Sequence, residues 1–194
     1  APVLVDVAPD QMAAPTVQGT DGGLIVSWTH ATSRGSAVHT YTVFVAPQAG
    51  GQPIAQSVSG SEESTTVRGL QNGASYLVSI QAQNNAKTPS LLSSQTQGSP
   101  HGPPSIPGNV SAQTSGMGSD ASTATVTVSW TLGNSNGSGW GRAEVTVNGV
   151  SATANATDAS VDVPRVPTGT DLPVTVVLSN ADGDKSETAA TTVN

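Results

Sequence analysis

Apolar and polar residues alternate along most of this chain with a period of two. Leu24-Ile25-Val26-Ser27-Trp28 places Leu24, Val26 and Trp28 on one face, and Tyr41-Thr42-Val43-Phe44-Val45 does the same with Tyr41, Val43 and Val45. Ala124-Thr125-Val126-Thr127-Val128-Ser129-Trp130 repeats the pattern over seven residues. This period turns alternate side chains to opposite faces of a half-buried β-strand. Apolar residues at helical spacing are nearly absent. The first half reads as seven strands: one beginning with Pro15-Thr16-Val17, Leu24 to Trp28, Tyr41 to Val45, Ile54 to Val58, Ser64 to Val67, one starting at Tyr76, and Leu91 to Thr96. The second half repeats the plan: Val110 to Gln113, Ala124 to Trp130, Arg142 to Val147, Val150 to Ala154, Val161 to Val163, Leu172 to Leu178, and Glu187 to Val193. Between its third and fourth strands Asn148-Gly149 is a two-residue hairpin signal, since both residues tolerate positive φ. The fold class is all-β: two consecutive immunoglobulin-like sandwiches of seven strands each.

One segment occurs twice. Leu70, Gly73, Tyr76, Val78, Ile80, Ala82 and Asn84 share their spacing with Val166, Gly169, Leu172, Val174, Val176, Leu178 and Asn180. Each copy is an apolar anchor, a glycine turn and a long strand of alternate apolar residues, with asparagine at its end. Repetition at this distance implies duplication of a β-module, the first spanning 12–98 and the second 104–194. Residues 1–11, with Val3, Leu4, Val5 and Val7, read as an N-terminal linker or as a strand of an upstream neighbour. Residues 99–107 contain Pro100, Pro103, Pro104 and Pro107, and such spacing favours an extended, semi-rigid linker. The opening Ala1-Pro2-Val3 reads as a boundary inside a longer protein.

Charge narrows the partners. Six Lys and Arg against 13 Asp and Glu give a formal charge of −7, and the six cations are scattered, which argues against nucleic acid. No apolar run reaches the ~20 residues that span a bilayer, so direct membrane insertion of this segment is not expected. There is no cysteine, so disulfides play no part.

Trp28 on the second strand, Tyr41 on the third, and Leu70-x-x-Gly73-x-x-Tyr76 leading to Ala82-x-Asn84 resemble the fibronectin type III family. The second module resembles it too, with two departures: Leu172 stands at the corner tyrosine, and Val145 or Ala143 at the third-strand tyrosine. The resemblance implies that the second module lacks the corner's hydroxyl-to-backbone bond. In its Ser/Thr/Val/Gly-rich, acidic, cysteine-free style the chain is similar to tandem modules of bacterial, particularly actinobacterial, surface proteins, some of them membrane-anchored. A weaker likeness joins it to two-domain cytokine-receptor modules, though it has neither their paired cysteines nor Trp-Ser-x-Trp-Ser.

Candidate chemistry is sparse. His30, His39 and His101 fall near loops or the linker, outside any hydrolytic or zinc motif, so no catalytic residues are assigned. Asn180-x-Asp182-Gly183-Asp184 faintly resembles a calcium loop, but an Asp-Gly turn accounts for it, and no metal or other cofactor is expected. Asn109, Asn136 and Asn155 begin formal glycosylation triplets at a frequency close to chance. Trp140 stands out: it lies among glycines in Gly133–Arg142, read as a loop, and Trp and Arg are favoured interface anchors. Its alternative role is to cap the sandwich edge where the third-strand tyrosine is missing. Trp140, Arg142, Asn136 and, in the first module, Arg34 are the candidate ligand-binding residues. The expectation is a monomeric, non-enzymatic, extracellular or cell-surface segment of a larger bacterial protein. It would bind a protein ligand such as a host cytokine or matrix component and serve adhesion. The alternative is a spacer or accessory module of a secreted polysaccharide-degrading enzyme.

Overall fold

The computed structural model describes residues 5–119 and 121–194, so Val3 and Leu4 lie outside the described residues. Two compact units divide the chain, Ala1–His101 and Gly102–Asn194. Unit 1 has seven strands: β1 (Thr16–Thr20), β2 (Gly23–Ser27), β3 (Thr40–Pro47), β4 (Ile54–Ser59), β5 (Ser64–Arg68), β6 (Tyr76–Gln83) and β7 (Thr96–Gly98). They form a three-stranded sheet ordered β1-β2-β5 and a four-stranded sheet ordered β4-β3-β6-β7. Unit 2 has β8 (Gly108–Met117), β9 (Thr123–Thr131), β10 (Trp140–Val147), β11 (Val150–Asn155), β12 (Ser160–Pro167), β13 (Leu172–Asn180) and β14 (Ala189–Val193). Its sheets, β8-β9-β12 and β11-β10-β13-β14, repeat those of unit 1 strand for strand.

The period-two pattern translates directly into burial. Leu24 and Val26 of one sheet, with Trp28 just past the end of β2, pack with Tyr41, Val43, Val45, Val78 and Ile80 of the other. In unit 2 Val126, Val128 and Trp130 meet Ala143, Val145, Val147, Val174, Val176 and Leu178. The register settles which residue replaces the third-strand tyrosine: Tyr41 pairs with Ala82, and Ala143 pairs with Leu178 at the same place of the repeat. The two core tryptophans differ. The Trp130 indole N–H donates to the Ala156 carbonyl at 3.0 Å, an acceptor carried by a short 3-10 turn, Ala156–Asp158. The Trp28 indole N–H is sealed from solvent without a partner among the described residues.

The repeated corner is realised differently in each unit. In unit 1 the Gln71 N–H donates to the Tyr76 hydroxyl at 2.9 Å, and Gly73 takes a φ of 79°. In unit 2 Leu172 supplies no hydroxyl, and Pro167, standing where Gln71 stands, supplies no N–H. Donor and acceptor are lost together, so neither group is left unsatisfied. Left-handed backbone falls instead on Arg165 and Asp171, at φ of 60° and 53°. Tyr76→Phe is therefore expected to cost about 1–2 kcal/mol, whereas Leu172→Tyr regains no hydrogen bond; chemical denaturation of both variants checks this.

Three expectations are corrected. The first strand, expected to begin at Pro15, begins at Thr16 and runs to Thr20. The last strand of unit 1 is Thr96–Gly98, not Leu91 to Thr96. Before it the chain is stitched to β6 by serines. The Ser90 and Ser93 hydroxyls accept the Ala82 and Ile80 N–H groups, while the serine N–H groups donate back to the same residues' carbonyls. A hydroxyl in place of a carbonyl satisfies β6 without continuing a regular ladder, and Ser186 repeats the device on Leu178. The third correction concerns Trp140, taken up below.

The terminal asparagine of each repeat ties down the chain that enters its unit. Asn84 Nδ2 donates to the Val7 carbonyl at 2.9 Å, and Asn180 Nδ2 donates to the Gly102 carbonyl at 3.0 Å. Val7 also bridges Arg34, and the Asp6 carboxylate accepts the Ser36 N–H. Residues 5–11, expected as a linker, thus run against unit 1. In unit 2 Gly102 and Ser105 donate to the carbonyls of Asn136 and Asn134. The Asn148-Gly149 hairpin forms as expected, with φ of 45° and 82°.

Candidate functional site

Trp140 is not in a loop: it is the first residue of β10, paired with Asn180 of β13. The register slips between Trp140 and Ala143, a β-bulge that re-aims the strand end. Gly141 makes this local geometry feasible, because a Cβ there would lie 2.4 Å from the Asn180 carbonyl oxygen. The neighbouring glycine therefore serves close backbone approach. Trp140 is partly buried against the unit 2 core, whose third-strand tyrosine position holds only Ala143. Its indole N–H makes no hydrogen bond among the described residues and is not sealed from solvent, unlike that of Trp28.

From Trp140 an open groove of about 970 Å³ crosses the outer face of β10, β11 and β13. Arg142, Glu144, Asn155, Asp158 and Lys185 line it with Trp140. Period-two alternation sets the outward side chains: Arg142 lies opposite Asn155, and Glu144 opposite Thr153 and Val177. Most of the charge is already engaged. Lys185 Nζ meets both Glu144 oxygens at 2.8 and 3.0 Å, and the Asp158 carboxylate accepts the Asn155 N–H at 3.1 Å. Arg142 differs. Its backbone is clamped by the Ser179 hydroxyl, which accepts from its N–H at 3.0 Å and donates to its carbonyl at 3.2 Å. Its guanidinium is exposed and meets no carboxylate among the described residues.

The four expected residues do not form one site. Trp140 and Arg142 share the groove. Asn136 takes a φ of 59° and its Nδ2 donates to the Pro103 carbonyl at 3.0 Å, which ties it to the entering segment of unit 2. Arg34 lies in unit 1, where its carbonyl accepts the Val7 N–H and its guanidinium approaches Asp10 at 3.7 Å. Glu144, Asn155, Asp158 and Lys185 were missed. They come from two strands, the 3-10 turn after β11 and the segment after β13, and the alternation phase of β10 and β11 could have placed only Glu144 and Asn155 on one face. The Asp182-Gly183 segment is a turn, with Gly183 at φ 90° and Lys185 bridged to Ser179.

Comparison with known proteins bears on the fold. No curated protein sequence matches the chain. Among solved structures, the crystal structure of the FN1-FN3 domains of chicken CNTN1 is similar at a TM-score of 0.52 and 16% identity, covering 97% of this chain and 69% of that one. A two-domain fibronectin type III segment from chicken tenascin aligns at a TM-score of 0.45 and 17% identity, over 93% of this chain and 97% of that one. Residues 7–97 match the family model described as "Fibronectin type III domain". The span begins at Val7, the residue that Asn84 holds. Unit 1 is thus a fibronectin type III domain, and unit 2 repeats its two-sheet architecture strand for strand.

Proposed function

We propose that this chain is a non-enzymatic protein-binding segment of an extracellular or surface protein, and that it engages its partner through the outer groove of unit 2. The observation that carries this reading is the Arg142 guanidinium. It is exposed, has no carboxylate partner among the described residues, and rises from a strand whose backbone is clamped beside a partly buried tryptophan with an open N–H donor. Arg and Trp on a rigid support lose little side-chain freedom on binding and are the residue types on which interface energy concentrates. Fibronectin type III domains are commonly extracellular and adhesive modules, which fits the reading. A partner that presents a carboxylate to Arg142 beside an apolar contact for Trp140 matches the groove's chemistry. Matrix proteins and cytokines are the classes to screen.

Arg142→Glu is the clean test, since that side chain holds nothing else in place. Against a panel of purified matrix proteins, cytokines and glycans, the wild-type chain is expected to bind a protein, and Arg142→Glu to weaken it by about 2 kcal/mol. The unfolding midpoint should stay within about 0.5 kcal/mol, as for other surface substitutions. Undiminished binding by the variant would remove the groove from the account. A wild-type chain that binds nothing in the panel would favour a spacer.

A further inference from the structure

Asparagine is followed by glycine three times, at Asn72-Gly73, Asn136-Gly137 and Asn148-Gly149. Such a pair carries latent chemistry. Glycine has no Cβ to shield its backbone nitrogen, so that nitrogen can reach the side-chain carbon of the asparagine before it and close a five-membered ring. Closure needs an unheld side-chain amide, an uncommitted glycine N–H and a backbone free to turn. The fold grants these unequally.

At the corner of unit 1 they are withheld. Asn72 Oδ1 accepts the Gly22 N–H at 2.9 Å, its Nδ2 donates to Asp21 Oδ1 at 2.7 Å, and the Gly73 N–H donates to the Pro100 carbonyl at 2.9 Å. Asn136 is held at three atoms. Its Nδ2 donates to the Pro103 carbonyl at 3.0 Å, its N–H donates to Asn134 Oδ1 at 2.8 Å, and its carbonyl accepts the Gly102 N–H at 3.0 Å. Asn148 and Gly149 are the exposed tip of the β10–β11 hairpin. The Asn148 side chain and the Gly149 N–H have no hydrogen-bond partner among the described residues, and a Cβ on Gly149 would meet no atom within 4 Å. Only the ladder pair Val147↔Val150 and the bond from the Asn148 N–H to the Pro173 carbonyl at 2.8 Å fix this tip, and such ends open locally at far lower cost than a core strand.

We propose that Asn148 is a site of spontaneous covalent modification, deamidating in preference to Asn72 and Asn136 in the native protein. The Gly149 nitrogen bonds to Asn148 Cγ as the Cγ–Nδ2 bond breaks, and its proton leaves with the amide as ammonia. Water then opens the cyclic imide. Cleavage of the new N–Cγ bond leaves aspartate, whereas cleavage of the original peptide C–N bond leaves isoaspartate, whose main chain runs through Cβ and Cγ. Both products add a negative charge. Isoaspartate also lengthens the backbone of a two-residue loop whose size sets the pairing of β10 with β11. That pairing continues to Arg142↔Asn155, so the change enters the sheet that bears the groove from its far end. The chemistry does not depend on the groove reading.

The test incubates the full chain at neutral pH, natively and in urea, and follows each Asn-Gly pair by peptide mass mapping with ammonia release measured alongside. Dividing the native rate at each pair by its rate in urea removes the influence of local sequence. This ratio should be at least tenfold larger for Asn148 than for Asn72 or Asn136, with enzymatic methylation detecting isoaspartate at position 148. The isoaspartate form should lose hydrogen-exchange protection at the β11 amides, and the Asn148→Asp variant should keep it. A ratio for Asn148 no larger than those of the other two pairs, or an isoaspartate form as protected as Asn148→Asp, would overturn the proposal.

Discussion

Trp130→Ala is expected to unfold unit 2 under conditions where the wild-type chain is fully native. Removing a buried indole costs about 4 kcal/mol through lost transfer energy and the cavity left behind. Here it also strips the Ala156 carbonyl of its 3.0 Å indole donor and leaves it the longer bond from the Ala159 N–H. For a unit of this size the loss corresponds to a melting temperature lower by roughly 20 °C. The two tryptophans should separate cleanly when each becomes phenylalanine. Trp130→Phe takes away the shorter of two bonds to the Ala156 carbonyl, leaving it only the Ala159 N–H at 3.4 Å. Trp28→Phe deletes an N–H that already has no partner, so it should cost about 1 kcal/mol less. Equilibrium denaturation followed by far-UV circular dichroism measures both differences, and equal costs would show that the Ala156 bond contributes nothing.

The second large effect lies at the ends of the repeated strands. Asn180 is 2% exposed and its amide joins three groups: Nδ2 donates to the Gly102 carbonyl and to Asp184 Oδ2, while Oδ1 accepts the Asp184 N–H. Asn180→Ala leaves these groups to find water at a buried site, at a cost of about 2–3 kcal/mol. Asn84→Ala should act likewise on unit 1, by freeing Val7. Hydrogen exchange localises the consequence. Amides of Gly102 and Ser105 should lose protection in Asn180→Ala, and that of Val7 in Asn84→Ala. Retained protection would mean that these entering segments are held by their other contacts alone.

Much of this fold was legible because a strand writes its buried face into every second residue. Trp28, Val126 and Val174 were placed by parity alone. The duplication added a second reading of the same signal, and it exposed Leu172 as the odd member of its corner. Pro167, at the repeat position of Gln71, gained its meaning only from the structure, which shows that position to be the donor of the tyrosine corner. What parity could not reach were contacts between distant positions. The Asn at the end of each repeat was visible, but its partner lies 77 or 78 residues away, in segments that read as linkers. The serines at 90, 93 and 186 carry no strand-breaking signature, yet their hydroxyls replace ladder carbonyls and cut the last strand short.

The site was less legible for a related reason. Glycines around Trp140 suggest a flexible loop when read as local propensity. In the folded unit Gly141 is required because β10 passes so close to Asn180, and the tryptophan begins a strand. The groove itself joins β10, β11, β13 and the turn after β11, so no local window contains it.

Solvent exchange of the three indole N–H protons, followed residue by residue in the 15N-labelled chain, tests the twin-core account most directly. Trp28 and Trp130 should exchange only through opening of their units, whereas Trp140 should exchange much faster, at the rim of its groove. A Trp130 indole that trades its proton as readily as Trp140 would contradict it.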